Sequence, residues 1–349
     1  MLHAPCSMFR VLCPMIQMSK ILTIGSVTKD TFLPTAEGVI LETPEDLLSQ
    51  KKIAFELGAK YHISDKHETL GGCPINVAAG MAKLGFQVQC YAPIGSDETG
   101  KWIRAELERQ GIDPAHLVVV DGHFSDASSI VVDKNSGERV IFSGHDASEK
   151  FEISTENIQD FDLVFIGDLS GDWKKNLELI TSKAKEKHAP VAFNPRQKAI
   201  QEDSQKIFEA SSICKFLFIN KDEALELLSS NGKEVTEDEP QLLRELKKNG
   251  VEVVTLTDGM RGAWAFDGKE ILHVEAILHS NTVDTTGAGD AFASGFLAGY
   301  LKEKNLAAAL KWGVANSSSC VTQYGGQAGL LNESEIIDFI DKIEVTKLS

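Results

Sequence analysis

Apolar runs of strand length alternate with longer helical patterns through most of the chain. Ile21–Gly25, Val88–Ala92, Leu163–Gly167, Val191–Phe193, Phe216–Ile219 and Val253–Thr257 are apolar at nearly every position. That is the pattern of strands buried on both faces. Helical spacing marks Pro74–Leu84, Thr99–Gln110, Trp173–Lys187, Lys221–Leu228 and Pro240–Asn249 between them. The alternation predicts a mostly parallel sheet covered on both sides. After Val283 the pattern turns helical, over 287–303, 305–322 and 333–343. Two stretches break the rule. Residues 31–70 are polar and irregular, and 127–144 reads as a hairpin, Ser128–Asp133 and Arg139–Ser143 around Asn135-Ser136-Gly137. Their positions predict a small β-rich flap over one end of the sheet, with 31–70 a functional lid and not a linker.

Val283 to Tyr300 carries the strongest chemistry. Gly287, Ala288 and Gly289 open a run in which Phe292, Phe296 and Tyr300 recur at helical spacing. A first turn without bulky side chains presents bare N–H groups, and these with the macrodipole suit an anion. Asp290 stands in the same turn. A carboxylate there repels a static phosphate, but it serves a phosphoryl transfer by taking the proton of the attacking hydroxyl. The helix N-terminus also favours the ionised carboxylate, which predicts a base at neutral pH.

A second glycine pair, Gly71-Gly72, precedes Cys73-Pro74 and Asn76, whose amide offers a polyol both a donor and an acceptor. Taken alone, such a pair before a helix is a tight turn. Asp30 follows the first strand, where a turn or helix-capping role competes with ligand contact at the edge of a parallel sheet. Asn220 and Glu223 form a variant capping box; the functional alternative places them beside a hydrated magnesium ion. Thr257 to Gly262 reads as a β-turn or as a nucleotide-contacting loop. No Gly-x-x-x-x-Gly-Lys-Ser/Thr occurs, and the dinucleotide fingerprint fails at Phe292.

The chain has 349 residues and a net charge of −16, which argues against nucleic acid and anionic membrane as partners. Its six cysteines include no Cys-x-x-Cys pair, so a reducing cytoplasm is expected and a disulfide framework is not. Residues 1–19 are expected to be a disordered extension, with Met18 as the natural start. Val11 to Ile16 is too short for a span and too poor for a signal peptide.

With these residues in view, the chain resembles the ribokinase-like sugar kinases, the PfkB family, from Lys20 to about residue 345. One signature is Gly71-Gly72 through Asn76-Val77-Ala78, then Leu84-Gly85, Ile94 to Gly100 and Gly111-Ile112-Asp113. The other is Asp284-Thr285-Thr286-Gly287-Ala288-Gly289-Asp290-Ala291-Phe292. The resemblance implies one α/β domain over 20–345, a three-layer sandwich with a mostly parallel central sheet and a small β-rich lid at about 31–70 and 127–144. It implies ATP as donor and a hydroxymethyl group as acceptor, with Asp290 as general base and Gly287, Ala288 and Gly289 as the anion hole. Asp30, Gly71, Gly72, Asn76 and, more weakly, Asp168 would meet the acceptor. Asn220, Thr257, Gly259, Gly262 and Asn316 would meet the nucleotide, and Glu223 would hold Mg2+ through water. A potassium site would draw on Asp284, Thr286, Cys320, Gln323, Gly325 and Gly329. Lids would pair in a homodimer. Cys73 and Pro74, standing where a phosphate-bearing acceptor would need Lys or Arg, tilt the acceptor toward a free sugar (ribose- or fructose-like) or a nucleoside. Arg196 tempers that reading, so an adenosine-type nucleoside kinase and a sugar-phosphate kinase remain alternatives. A silent nucleotide or sugar sensor and a dinucleotide oxidoreductase compete less well.

Overall fold

The computed structural model describes residues 19–42, 51–63, 65–135, 139–277 and 282–348. The expected N-terminal extension and the tip of the 127–144 hairpin therefore lie largely outside the described residues. In chain order the strands and helices are β1 (Lys20–Ile24), β2 (Thr28–Thr35), β3 (Val39–Glu42), β4 (Lys51–Ala54), β5 (His67–Gly71), α1 (Cys73–Lys83), β6 (Gln87–Tyr91), β7 (Pro93–Gly95), α2 (Glu98–Arg109), β8 (Val118–Val120), β9 (Ala127–Asp133) and β10 (Arg139–Gly144). There follow β11 (Leu163–Gly167), α3 (Trp173–Glu186), β12 (Val191–Asn194), α4 (Gln197–Glu202), α5 (Ser204–Ser211), β13 (Phe216–Asn220), α6 (Lys221–Ser230), α7 (Glu239–Lys248) and β14 (Val253–Thr257). The chain closes with β15 (Ala263–Phe266), β16 (Ile271–Val274), α8 (Ala288–Glu303), α9 (Leu306–Cys320), α10 (Glu333–Ile340) and β17 (Thr346–Leu348).

The central sheet has nine strands in the order β17-β16-β15-β14-β13-β12-β11-β1-β6. β6 to β14 run parallel, and β15 to β17 extend the sheet antiparallel. Successive side chains of a strand point to opposite faces. Ile21, Leu163, Phe165, Phe216 and Phe218 accordingly join one core with α1, α2, α8, α9 and α10. Leu22, Ile24, Val164, Ile166, Leu217 and Ile219 join the other, under α3 to α7. This is why the strands are apolar without a break: both faces are covered.

The sequence missed β15 and β16, although Asp267-Gly268 between two apolar runs is a hairpin signal. Asp267 Oδ1 accepts the N–H groups of Lys269 and Glu270 at 2.8 and 3.1 Å, closing that turn.

A separate four-stranded sheet, β10-β9-β2-β5, is built from both stretches that break the alternation, and β3 pairs with β4 beside it. Asp30 corrects one expectation. It lies within β2, opposite Thr69 and Ser128, and not in a turn or cap. β2 is polar along much of its length, so its strand character comes from partners on both edges and not from its own pattern.

The helix α8 is apolar nearly all round, with Ala291 to Gly299 buried without interruption. It fits because facing residues are small. A Cβ on Gly80 of α1 would stand 2.2 Å from Ser294 Oγ, and one on Gly295 would stand 2.5 Å from the Trp312 carbonyl of α9.

Candidate active site

The parallel strands deliver their last residues to one edge. Asp168 follows β11, Asn194 ends β12, Asn220 ends β13 and Thr257 ends β14. All four line a cleft of about 280 Å³, with Cys73, Arg196, Glu223, Gly289 and Asp290 among its other walls. It lies over the carboxyl ends of β11 to β14, the edge at which open α/β sheets bind ligands. A second cleft of about 390 Å³ is lined by Asn220, Thr257, Gly259, Gly262, Ala288, Gly289, Ser317 and Ser318, with Ile277, Phe292 and Val314 as apolar walls. The two clefts share Asn220, Thr257, Gly289 and Phe292. The start of α8 is thus the wall between two compartments.

Gly287 caps α8 in the left-handed conformation, φ 75°, and a Cβ there would stand 2.3 Å from Gly326 Cα. Only glycine fits. Gly289 is different: a Cβ built on it meets nothing within 4 Å. Its missing side chain leaves open space.

Asp290 lies half-buried at the junction. Asn76 Nδ2 donates to its Oδ2 at 2.8 Å. Burial pushes the Asp290 carboxyl up to about 6, against the lowering by the Asn76 and Cys73 hydrogen bonds, and repulsion from Asp168 adds to the rise. The direction corrects the sequence expectation, in which the helix N-terminus lowers it; desolvation outweighs the dipole. At neutral pH the ionised form still dominates. The Cys73 thiol is pushed well above its usual range by burial and stays protonated.

Asn220 and Glu223 form the capping box in full: Glu223 N–H donates to Asn220 Oδ1 at 2.9 Å, and Asn220 N–H to Glu223 Oε2 at 3.0 Å. Capping and facing the cleft are compatible here, because both residues also line it. Burial raises Glu223 to about 7, with Asp290, Asp222 and Glu226 adding repulsion. A divalent cation would relieve that repulsion, and the oxygen-rich donor set suits one that keeps most of its waters. Asp168 adopts φ 47°, rare for a residue with a side chain, and its Oδ1 pairs with Arg196 Nε at 3.1 Å. Arg196 Nη1 also donates to Ser170 Oγ at 3.1 Å.

Other expected residues gather elsewhere. Asp30, Gly71, Gly72 and Asn76 do not line the first cleft; Asn76 is buried and touches it through Asp290. Asp30 accepts from Thr28 Oγ1 at 2.9 Å, and burial raises its carboxyl, with Asp284 adding repulsion. Gly71 is packed against it, for a Cβ there would stand 2.0 Å from Asp30 Oδ2.

Asp284 is buried. It accepts from Thr286 N–H at 2.9 Å, Thr286 Oγ1 at 2.7 Å and Gly325 N–H at 2.9 Å, and it pairs with Arg139 Nη1 of β10 at 3.3 Å. The Cys320 thiol lies 3.9 and 4.0 Å from the Thr286 and Gly325 carbonyl oxygens. Gln323 is exposed, and Gly329 packs against the Ser319 carbonyl. Arg139 therefore already supplies the positive charge that Asp284 calls for, so the residues as placed do not fit a potassium ion around that carboxylate.

Asn316 departs from its expected place. It is fully buried, donates to the Ala291 carbonyl and Ser294 Oγ, and accepts from Leu331 N–H. It ties α8 to α9, and the adjacent Ser317 and Ser318 face the second cleft instead. Thr255, Ser317 and Ser318 are polar lining residues to which the sequence reading gave no role. For the two serines, hydroxyls one turn before the end of an apolar helix were the only signal.

Residues 48–333 match the model of the pfkB family carbohydrate kinases. The chain belongs to that family. It is 28% identical over 280 residues to a ribokinase of Haemophilus influenzae, covering 78% of this chain and 87% of that protein. Its fold is that of the Methanocaldococcus jannaschii nucleoside kinase, at a TM-score of 0.74 and 22% identity, over 93% of this chain and 99% of that one. A putative ribokinase II from E. coli, solved with ATP and Mg2+, superposes at 0.75 and 18% identity, over 93% of this chain and 100% of the other. This PfkB-family kinase is thus a phosphotransferase that acts on an alcohol group of a sugar or nucleoside. Among its described residues, no helix is long and apolar enough to cross a membrane.

Proposed function

We propose that the protein transfers the γ-phosphoryl group of ATP to a hydroxymethyl group of an uncharged sugar. The charge of the first cleft carries this reading. Three carboxylates, Asp168, Glu223 and Asp290, face it against the one guanidinium of Arg196, which is already paired with Asp168. A second phosphate on the acceptor would meet net negative charge. Asp168 and Asn194 offer the mixed donors and acceptors that hydroxyls need. A volume of about 280 Å³ has room for a single sugar ring.

In this reading ATP occupies the second cleft, its adenine against Ile277 and Val314. Its phosphates reach the N–H groups at Gly287 to Gly289, with Asn220, Thr257, Gly259 and Gly262 beside them. Asp290 takes the proton of the attacking hydroxyl, and Asn76 holds the carboxylate in place. Asn220 and Glu223 would hold Mg2+ through water, where it neutralises charge on the phosphates. The N–H groups stabilise charge on the migrating group without reorganisation. A potassium ion at Asp284, Thr286, Cys320, Gln323, Gly325 and Gly329 would first have to displace Arg139. The four described cysteines are all unpaired.

The test is ADP release from Mg-ATP against free sugars, sugar phosphates and nucleosides, with and without potassium. A free pentose or hexose should give turnover, with no need of potassium. A sugar phosphate as the best acceptor would overturn the charge argument. Nucleotide-dependent fluorescence quenching without ADP release would favour the sensor.

The small sheet acts in this reading as a lid, and a second copy of the chain is its partner. Val140 and Phe142, two residues apart on β10, leave one face of its edge strand apolar, with Phe142 63% exposed. Single exposed apolar residues are ordinary, but a contiguous set marks an interface. Light scattering should give the mass of a dimer, and Phe142→Asp should shift it toward the monomer; a wild-type monomer at working concentration refutes the pairing.

A further inference from the structure

A chain of side-chain amides runs from Asp290 to the surface helix α2. Asn76 Nδ2 donates to Asp290 Oδ2 at 2.8 Å, and Gln327 Nε2 donates to Asn76 Oδ1 at 3.0 Å. Gln110 Nε2 donates to Gln327 Oε1 at 2.9 Å and to Glu106 Oε1 at 3.1 Å. Arg109 Nε holds Glu106 Oε2 at 2.9 Å. Asn76 and Gln327 are both buried, so neither amide can exchange a lost partner for water.

The direction of the chain is forced from both ends. A carboxylate only accepts. Asp290 therefore draws the nitrogen of Asn76, which turns the Asn76 oxygen to Gln327 and the Gln327 oxygen to Gln110. From the other end, Glu106 draws the Gln110 nitrogen, whose second N–H is left for Gln327. Both constraints give the same orientation, and no amide in the chain is frustrated. The packing is as specific: a Cβ on Gly326, next to Gln327, would stand 2.6 Å from Asn76 Nδ2.

We propose that Gln327, set by Gln110, is a positioning residue that keeps the amide nitrogen of Asn76, and not its oxygen, against the catalytic carboxylate. This rests on Asp290 being the general base. With the nitrogen in place the ionised base is favoured. With the oxygen in place two acceptors face each other and the base holds its proton to higher pH. The other groups around Asp290 are Cys73 on α1, Asp168 with its partner Arg196, Glu223 on α6 and Cys320 on α9. None of them fixes which way Asn76 points.

The experiment compares Gln327→Glu with Gln327→Leu, measuring kcat/KM against pH at saturating Mg2+ and the melting temperature of each. In Gln327→Glu the new carboxylate would accept from both Gln110 and Asn76, so it reverses Asn76. In Gln327→Leu the apolar side chain leaves Asn76 free to take either orientation. The acid limb should move up by about one pH unit in Gln327→Glu, a roughly fivefold loss at about pH 6 that approaches tenfold at lower pH, and by less in Gln327→Leu. A residue needed only for packing gives the opposite ranking, because Glu is the isostere. Gln110→Leu, at the surface end, should give a smaller shift of the same sign and reads the same limb if the Gln327 variants do not fold. Unmoved limbs in folded variants overturn the proposal. Asp290→Asn measured alongside separates the failures: if it retains turnover the base assignment falls, whereas if it is inactive and the limbs stay put, only the relay does.

Discussion

Asp290→Asn should bind Mg-ATP as well as the wild type and turn over about 10²–10⁴-fold more slowly, the range for loss of a positioned general base. The exchange is isosteric. The oxygen of the introduced amide still accepts from Asn76, so the helix start and both clefts keep their shape. What is lost is the lone pair that receives the hydroxyl proton. Nucleotide affinity should hold, because removing one negative charge beside Glu223 and Asp168 lessens repulsion in the cleft. The sign of the pH dependence follows from the raised carboxyl. In the wild type kcat/KM should fall as pH drops through about 6, where Asp290 takes up its proton. The residual activity of the variant should lack that limb. Isothermal titration with a non-hydrolysable ATP analogue and ADP release between about pH 5 and 8 check both parts. Near-normal turnover with intact binding would remove Asp290 as the base. A loss of binding equal to the loss of turnover would place Asp290 in nucleotide recognition instead.

What the sequence disclosed depended on whether a residue's role is local. The six parallel strands were legible because burial on both faces leaves an unbroken apolar run, and the start of α8 because glycines and an acid in a first turn leave few other readings. The capping box of Asn220 and Glu223 was legible for the same reason. Where a role depends on a partner far along the chain, the letters were silent. Thr28–Thr35 is a strand because β5 and β9 flank it, and its own pattern is polar. Arg139 and Asp284 lie far apart in the chain, yet they meet at 3.3 Å, and this changes how a cation site there must be read. Asn316 reads as a ligand contact until its three hydrogen bonds within the core are seen. The carboxylate of Asp290 shows the limit in energetic terms. The helix dipole is readable from position alone, but the desolvation that outweighs it exists only once α1, α6 and α8 have packed together.

Gly289→Val separates the chemistry of the helix start from its architecture. At Gly287 a side chain would be refused by the fold, since φ is 75° and Gly326 blocks the space. A loss of activity there would report only strain. At Gly289 no atom lies within 4 Å of a Cβ, and the residue lines both clefts. Valine at this position should leave the melting temperature close to that of the wild type, because the backbone is helical and a β-branched residue costs little in a first turn. Its two methyl groups would occupy the passage through which the phosphoryl group moves and shield the N–H groups meant for it. Turnover should fall by about 10²–10³-fold, the effect of losing an oxyanion donor, and the acceptor's KM should change less than kcat. Alanine at the same position should lie between the two. The measurement is steady-state kinetics of both variants beside their thermal unfolding. Wild-type turnover in a folded Gly289→Val would move the anion hole away from the start of α8, and with it the reading of the two clefts as donor and acceptor sides of one transfer.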